Sequence, residues 1–386
     1  MIQSIELKNF KSIKKKYFPL RNLNVLLGLN GQGKSSFIQA LLLLRQSADS
    51  LRKGELRLNG NEFKMGTTKD ARYQYSKMDE NLSINLQFKD TEPYIMIFDY
   101  TIEADFFKLS NIEVDIYGES KNSIDIKKSL FANNFQYLNA QRIEPKSIHP
   151  KDYTSVVINK NLGSYGEFTA HFIETYYNEP LEFENVIHKN SVTVDEVLGT
   201  EIINKTLINQ INLWMGEISP GVNVRTTAIP NSDDVLLEYV FKQPNFGNTN
   251  RYKPENVGFG ISYALHVVTA LLASRPGELI IIENPESHIH PRGQAELGKL
   301  ITLVAENDVQ IIIETHSDHI LNGIRVGVKE SPVMKDRTAL FYFKKIVTDS
   351  EQYSKVTDIE IDKNGTLSEY PENLLEEWSN QLSKLI

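Results

Sequence analysis

The chain of 386 residues contains no cysteine. That excludes disulfides, thiolate zinc sites and cysteine nucleophiles, and it fits a reducing compartment. Long apolar runs are missing as well. The longest, such as residues 40–44 and 279–282, are far too short to span a bilayer. The opening MIQSIELKNFKSIKKKYF alternates and carries charge, so it does not read as a signal peptide. A cytoplasmic protein without membrane association is expected. There is no internal repeat, no low-complexity tract and no long heptad run, which removes a long coiled-coil arm. Positive charge is not in excess: the net charge is −8, so the chain as a whole is not a basic nucleic-acid binder. A local basic cluster at Lys11, Lys14, Lys15, Lys16 and Arg21 reads as a solvated strand face in preference to a DNA track.

What is present is ordinary for a soluble globular protein, at 40% hydrophobic and 24% charged residues. The length calls for one large or two modest domains. One stretch stands out. GLNGQGKS, residues 28–35, reads as G-x-x-x-x-G-K-[ST], a phosphate-binding loop. The apolar run LNVLL before it reads as a buried strand, and SFIQALLLLR after it reads as a helix. Glycines let consecutive backbone N–H groups curl around phosphate oxygens, and the helix N-terminus adds its positive dipole end. In such a loop Lys34 reaches the β- and γ-phosphates, and the Ser35 hydroxyl ligates Mg²⁺. A glycine-rich turn that matches by chance is the alternative, and the flanking strand and helix argue against it.

The pattern predicts strands at 2–10 and 12–18, turns and short strands over 54–75, and antiparallel strands at 83–88, 94–102, 112–117 and 123–127. Further on it predicts a strand at 136–142, a helix at 167–177, a helix at 195–216, strands at 221–229 and 233–242, and a loop at 243–256. Alternating helices and buried strands then follow: helix 261–273, strand 278–283, helix 292–306, strand 309–314, helix 317–328 and strand 338–343. Such alternation means a mostly parallel α/β sheet.

The strand LIIIE ends in Glu283, followed by Asn284, Pro285 and Glu286. Ligands in open α/β sheets bind at the carboxyl ends of strands, and an acid there can hold Mg²⁺. The adjacent position, where an acid orienting water would sit, is Asn284, which accepts no proton. Glu286 is two residues further on. The next strand ends in IIIETHS, which puts His316 where an imidazole can hydrogen-bond a γ-phosphate. Residues 256–262, NVGFGIS, open a helix with Gly258 and Gly260, a further anion-binding helix start. His288, His290, His316 and His319 suggest a metal cluster, but hydrogen-bonded loop histidines are preferred to zinc.

IELKNFKSI, GLNGQGKSS, IIIENPESHIHP and IIIETHSDHIL, in that order, resemble the ABC-type ATPase heads of the RecF, SMC and OLD group. NVGFGIS, ENPESHIHPRGQ and the tail IDKNGTLSEYPENLLEEW are similar to a bacterial family of predicted ATPases. The resemblance covers 1–60 and 250–386 specifically and the middle loosely, through YLNAQRIEP and LGSYGEFTAHF. It implies an α/β ABC-type P-loop NTPase head, a mixed sheet with flanking helices, formed by 1–70 and 250–386. Residues 71–249 would be an inserted α+β region that sets substrate and partner.

It further implies ATP and Mg²⁺ as cofactors. Asn30, Gly31, Gly33, Lys34, Ser35 and Ser36 would hold the phosphates, Ser35 and Glu283 the metal, and Gly258 and Gly260 the nucleotide of a second copy. Lys34, Glu283, Glu286 and His316 are the catalytic candidates. Gln74 is a candidate Q-loop glutamine by distance alone. The sequence departs from the pattern at Asn284, which takes the place of the usual glutamate, and at Val257, which takes the place of a serine. Losing a positioned general base costs about 10²–10⁴ in rate.

The leading expectation is an ATP-gated homodimer that hydrolyses slowly, in DNA maintenance or anti-phage defence, with a separate effector such as a nuclease and with DNA as a candidate partner. A non-hydrolysing nucleotide sensor is the alternative. A nuclease within the chain is disfavoured, because the 43 residues after 343 are too few for a metal-binding nuclease domain, and Asp358, Glu360 and Asp362 read as a solvated strand face. A transporter motor is disfavoured by the missing serine-glycine-glycine signature. Lys127, Lys128, residues 146–151 and the aromatics Tyr153, Tyr165, Tyr176 and Tyr177 could bind bases, but packing is the better reading.

Overall fold

The computed structural model describes residues 1–113, 129–194, 201–243, 247–371, 374–375 and 382–385. The strand expected at 123–127, the end of the strand expected at 112–117, the start of the helix expected at 195–216 and the basic pair Lys127–Lys128 lie outside the described residues.

The chain forms two compact units. The first comprises Met1–Ala132, Asp336–Ile361 and Leu367–Ile386. Its antiparallel sheet runs in the order Ile13–Pro19, Ile2–Phe10, Leu82–Phe88, Tyr94–Asp99, Phe106–Glu113, Glu55–Arg57. In Leu82–Phe88 buried and half-buried residues alternate strictly, the period of a strand with one face on the core. The strand Leu23–Leu27, buried at every position, pairs in parallel with Thr338–Val347, which turns back into the antiparallel Gln352–Ile359. Burial on both faces is why LNVLL lacks alternation. Phe18, Phe37 and Phe341 meet in the core, with ring centroids 4.6 and 5.3 Å from Phe18. The helix Lys34–Gln46 contributes Phe37, Ile38 and Leu41–Leu44 to the buried side.

The second unit comprises Asn133–Lys335 and Asp362–Thr366. Here Gln136–Leu138, Leu279–Glu283 and Gln310–Glu314 run parallel, in an order that puts the acid strand in the middle. The helices Phe259–Leu272, Pro291–Ala305 and Asp318–Glu330 alternate with these strands. An antiparallel sheet joins Ile148–Pro150, Asp234–Gln243, Val222–Ala228 and the short Gly247–Asn248.

Several expectations are corrected. The division falls within the stretch 71–249, with 71–132 in the first unit and 133–249 in the second. The reason is pairing. Leu82–Phe88 hydrogen-bonds to Ile2–Phe10, and Gln136–Leu138 to Ile280–Ile282. The helix expected from 195 begins at Leu207 and ends at Ile218. Before it, Glu201–Ile203 pairs with Val192–Val194, as β-branched runs favour. Asn204 Oδ1 then accepts from the Thr206 amide and hydroxyl and turns the chain. The strand expected at 136–142 stops at Leu138, where Asn139 Oδ1 takes the Gln141 N–H. Within 54–75 the helix Thr68–Ala71 appears, closed by a capping box between Thr67 and Asp70 that was readable as T-x-x-D. Within 243–256 lie Gly247–Asn248 and a 3₁₀ turn, Pro254–Asn256.

The basic cluster is largely paired. Lys14 binds Glu351 at 2.8 Å, Lys15 binds Glu6 at 3.3 Å, Lys16 binds Asp358 at 2.7 Å, and Lys11 donates to Gln39 at 2.7 Å. Asp358 is thus an ion-pair partner of Lys16. Asp362 Oδ1 closes a turn by accepting the Asn364 and Thr366 amides.

Candidate nucleotide-binding and acid sites

In the first unit, the chain leaves the strand Leu23–Leu27 and turns through Gly28 (φ 132°), Gly31 (φ 73°) and Gly33 (φ 103°) into the helix. These are left-handed conformations that suit glycine. Packing demands glycine at two of them as well. A Cβ on Gly28 would overlap the Phe343 carbonyl, and one on Gly33 would overlap the Ser354 and Ser12 hydroxyls. Gly31, by contrast, faces open space.

Gly33 is the helix N-cap, no side chain caps the helix, and no acid lies in its first turn. The dipole end is therefore presented to the loop uncompensated. Lys34 is only 2% exposed, and its ammonium folds back onto the carbonyls of Gly28 (2.8 Å) and Leu29 (3.0 Å). Ser354 Oγ donates to Gln32 O (2.6 Å) and accepts from the Ser12 hydroxyl (2.7 Å), which ties the loop to the strand Gln352–Ile359. An uncapped helix, an open glycine and a lysine held over the loop suit phosphate oxygens, so the residues present fit a nucleoside triphosphate with its cation.

In the second unit, the acid strand ends at Glu283, paired in register with the buried Glu314. Burial pushes the Glu283 carboxyl up, against the hydrogen bond from Tyr137 Oη (3.0 Å), one from the Ala140 amide, and the charge of Arg142. Arg142 is 2% exposed, and it donates to Glu283 O (2.7 Å) and Asn284 O (3.1 Å). Burial pulls this guanidinium down to about 10, with Glu286 foremost among the groups opposing it. Asn284 is left-handed, at φ 45°; its amide donates to Glu314 O at 2.8 Å, and its Oδ1 is buried without a partner.

Both oxygens of Glu286 are engaged. Oε2 accepts from Thr315 Oγ1 (2.8 Å) and Oε1 from the His316 amide (2.9 Å). The His316 side chain is exposed at the end of the neighbouring strand. Gln141 is exposed too, just beyond Gln136–Leu138; parallel pairing of that strand sends it out at the end that carries Glu283. Gln74 lies in an exposed turn of the first unit.

Gly258 caps the helix Phe259–Leu272 and faces open space, whereas a Cβ on Gly260 would overlap the His288 carbonyl. A cavity of about 660 Å³ lies beside them, walled in part by Tyr252, Val257, His288 and His290. His288 packs against Tyr263 (5.0 Å) and Phe259 (5.9 Å), and His290 caps the next helix through Nδ1. His319 lies in the first turn of a helix capped by Ser317. Among the described residues, no group of three His, Asp or Glu side chains is placed to hold a metal ion. Of the aromatics, Tyr153 and Tyr165 are exposed, Tyr176 is buried on Phe172, and Tyr177 accepts from Arg225.

Sequence reasoning missed Tyr137, Arg142 and Glu314. The first two stand in YLNAQR, which is polar after a short apolar run, and a polar residue next to such a run was the available signal.

A phosphate loop feeding an uncapped helix, together with parallel strands that end in an acid and a histidine, defines an ABC-type P-loop ATPase of the OLD/SMC-like kind, with a mixed sheet and flanking helices. The fold is that of the Smc head. The Smc head bound to the C-winged helix domain of ScpA matches with a TM-score of 0.54 at 15% identity, over 94% of this chain and 98% of that one. The Smc head with an extended coiled coil bound to the C-terminal domain of ScpA, derived from Pyrococcus furiosus, matches with a TM-score of 0.53 at 15% identity, over 100% and 99%. The chain belongs to the family described as AAA domain, putative AbiEii toxin, Type IV TA system, which matches residues 23–322. Residues 333–385 match a second family, a protein of unknown function (DUF3696). The Old nuclease of Escherichia phage P2 is 21% identical over 400 residues, and the chain spans 65% of the length of that relative. No helix among the described residues is long and apolar enough to cross a membrane.

Proposed function

We propose that the chain is a cytoplasmic, slow ATPase that acts as an ATP-gated dimer. The observation that carries this reading is the phosphate loop, with its uncapped helix and with Lys34 held over the Gly28 and Leu29 carbonyls. In this reading, arriving phosphates displace those carbonyls and take the ammonium. Asn30, Gly31, Gly33, Ser35 and Ser36 supply amides and hydroxyls. Ser35 and Glu283 are the residues that would hold Mg²⁺, which would withdraw charge from the phosphate oxygens. His316 reads the γ-phosphate, Gly258 and Gly260 serve the nucleotide of a second copy, and we assign Gln141 to the Q-loop. Residues 71–249 set the partner, an effector such as a nuclease or DNA; the name of the phage relative and the RecF/OLD likeness favour DNA maintenance or anti-phage defence.

Phosphate release and oligomeric mass, measured together with ATP and Mg²⁺, test this reading. Wild type should turn over ATP and dimerise on it, and Lys34→Ala should lose both, with turnover down by about 10²-fold or more. A monomeric wild type that binds no nucleotide would sink the proposal.

A second reading, a non-hydrolysing sensor that scaffolds an effector, is favoured by Asn284 and by the two engaged oxygens of Glu286. Neither side chain offers a free base to water in this arrangement. Asn284→Glu should then raise phosphate release by about 10²–10⁴. Wild-type turnover that the substitution does not raise removes the sensor.

A further inference from the structure

The stretch Gln136–Arg142 lies far from the acid strand in sequence, yet it supplies the groups that touch the acid's carboxylate and the consecutive carbonyls of Glu283 and Asn284. Strand pairing brings it there, with Gln136, Tyr137 and Leu138 opposite Ile280, Ile281 and Ile282. Tyr137 Oη donates to the Glu283 carboxylate, and the Arg142 fork meets the Glu283 and Asn284 carbonyls. Arg142 Nε is buried without a hydrogen-bond partner among the described residues, and the other two guanidinium nitrogens donate to this one turn. A buried guanidinium satisfied this way is costly to hold unless the geometry it fixes is used. The turn is also one that needs fixing. Asn284 is left-handed without being glycine, and Glu286, two residues on, ties the same turn to Thr315 and to the His316 amide.

We propose that Arg142, with Tyr137, is a positioning residue for the metal-directed acid Glu283: the two aim its carboxylate and fix the turn that follows it. This rests on the reading of the chain as an ATP·Mg²⁺ ATPase. Partners of a metal-directed carboxylate contribute about 10–100-fold to metal affinity or activity.

Arg142→Lys keeps the charge but loses the two-pronged fork. Tyr137→Phe keeps the ring and loses one donor, so a variant that folds is available. Metal-free binding of a fluorescent ATP analogue should stay within about twofold of wild type in both, since phosphate binding is assigned to the loop at Lys34. The Mg²⁺ concentration for half-maximal turnover should rise about 10-fold, and kcat should fall about 10–100-fold. The double variant should lose less than the product of the single losses. In nucleotide-free protein, amide exchange should quicken at residues 283–287 and stay unchanged in the helices of the second unit. Unchanged Mg²⁺ dependence with unchanged exchange overturns the assignment. So does faster exchange spread evenly over 133–335, which a merely structural role would give. If wild type binds no nucleotide, only the ATPase reading falls, and the exchange comparison still decides the role of Arg142.

Discussion

The phosphate loop and the acid turn are both short connections at the carboxyl end of a buried parallel strand, and they are built by opposite means. The loop at 28–35 takes its shape mainly from its own residues. Three glycines adopt left-handed angles, and the helix that follows begins uncapped. The turn at 283–286 takes its shape from elsewhere. Asn284 is left-handed without being glycine, and the fastening comes from Tyr137, Arg142, Glu314 and Thr315. The difference follows from the chemistry each half presents. Amide donors are carried by any backbone bent the right way, so a local motif suffices. A carboxylate taken out of water rises in pKa unless donors meet it, and donors to a strand end come from neighbouring strands.

Gly33→Val puts the heaviest load on the local half. A β-branched residue at φ 103° costs about 1–3 kcal/mol in backbone strain, before its overlap with Ser354 and Ser12. Nucleotide binding should vanish, and thermal melting should show a loss beyond that range. A variant that still binds nucleotide would mean the loop is less locally determined than the comparison holds.

On the other side, the tertiary half contains His266, 2% exposed, with Nδ1 on Thr169 at 2.8 Å and Nε2 buried without a partner. Burial lowers its pKa from 6.5 to about 3, and Arg142 and His149 push the same way. The folded state thus binds this proton less readily than the unfolded chain. Its contribution to stability is full above about 6.5 and drains away as pH falls from 6.5 towards 3. Denaturant melts across that window should show a shallower acid slope for His266→Gln than for wild type, whatever the variant's stability at pH 7. Equal slopes would remove His266 from the account.

The smallest effect should come from Ser354→Ala, which removes the two hydrogen bonds behind the phosphate loop. About 0.5–1.5 kcal/mol of stability should go for each of the two, with nucleotide affinity within about threefold of wild type. A larger loss of affinity would show that the loop also leans on its tertiary support, which would narrow the contrast between the halves.

Much of this was legible beforehand. LNVLL, LIIIE and QIIIE read as buried strands and are fully or almost fully buried. The helices that follow them begin within two residues of where the pattern puts them. Glu283 ends one parallel strand, and His316 lies two residues beyond the end of its neighbour, Gln310–Glu314. Apolar spacing in a run as short as Ile202–Ile203 fits a helix or a strand, and pairing with Val192–Val194 selects the strand. The division into two units was not legible either, since it depends on which strands pair across long separations.

The phosphate loop, the buried strands, and the acid and histidine that follow them are legible in local runs of residues. Each of these rests on residues close together in the chain: glycines that permit a turn, apolar runs that must be buried, polar residues where burial stops. Tertiary packing brings Arg142 and Tyr137 to the acid, engages both oxygens of Glu286, and pairs Lys14, Lys15 and Lys16 with Glu351, Glu6 and Asp358. Hydrogen bonds and ion pairs are satisfied by whatever donor the fold brings within about 3 Å, and nothing in the local pattern of either partner specifies the other.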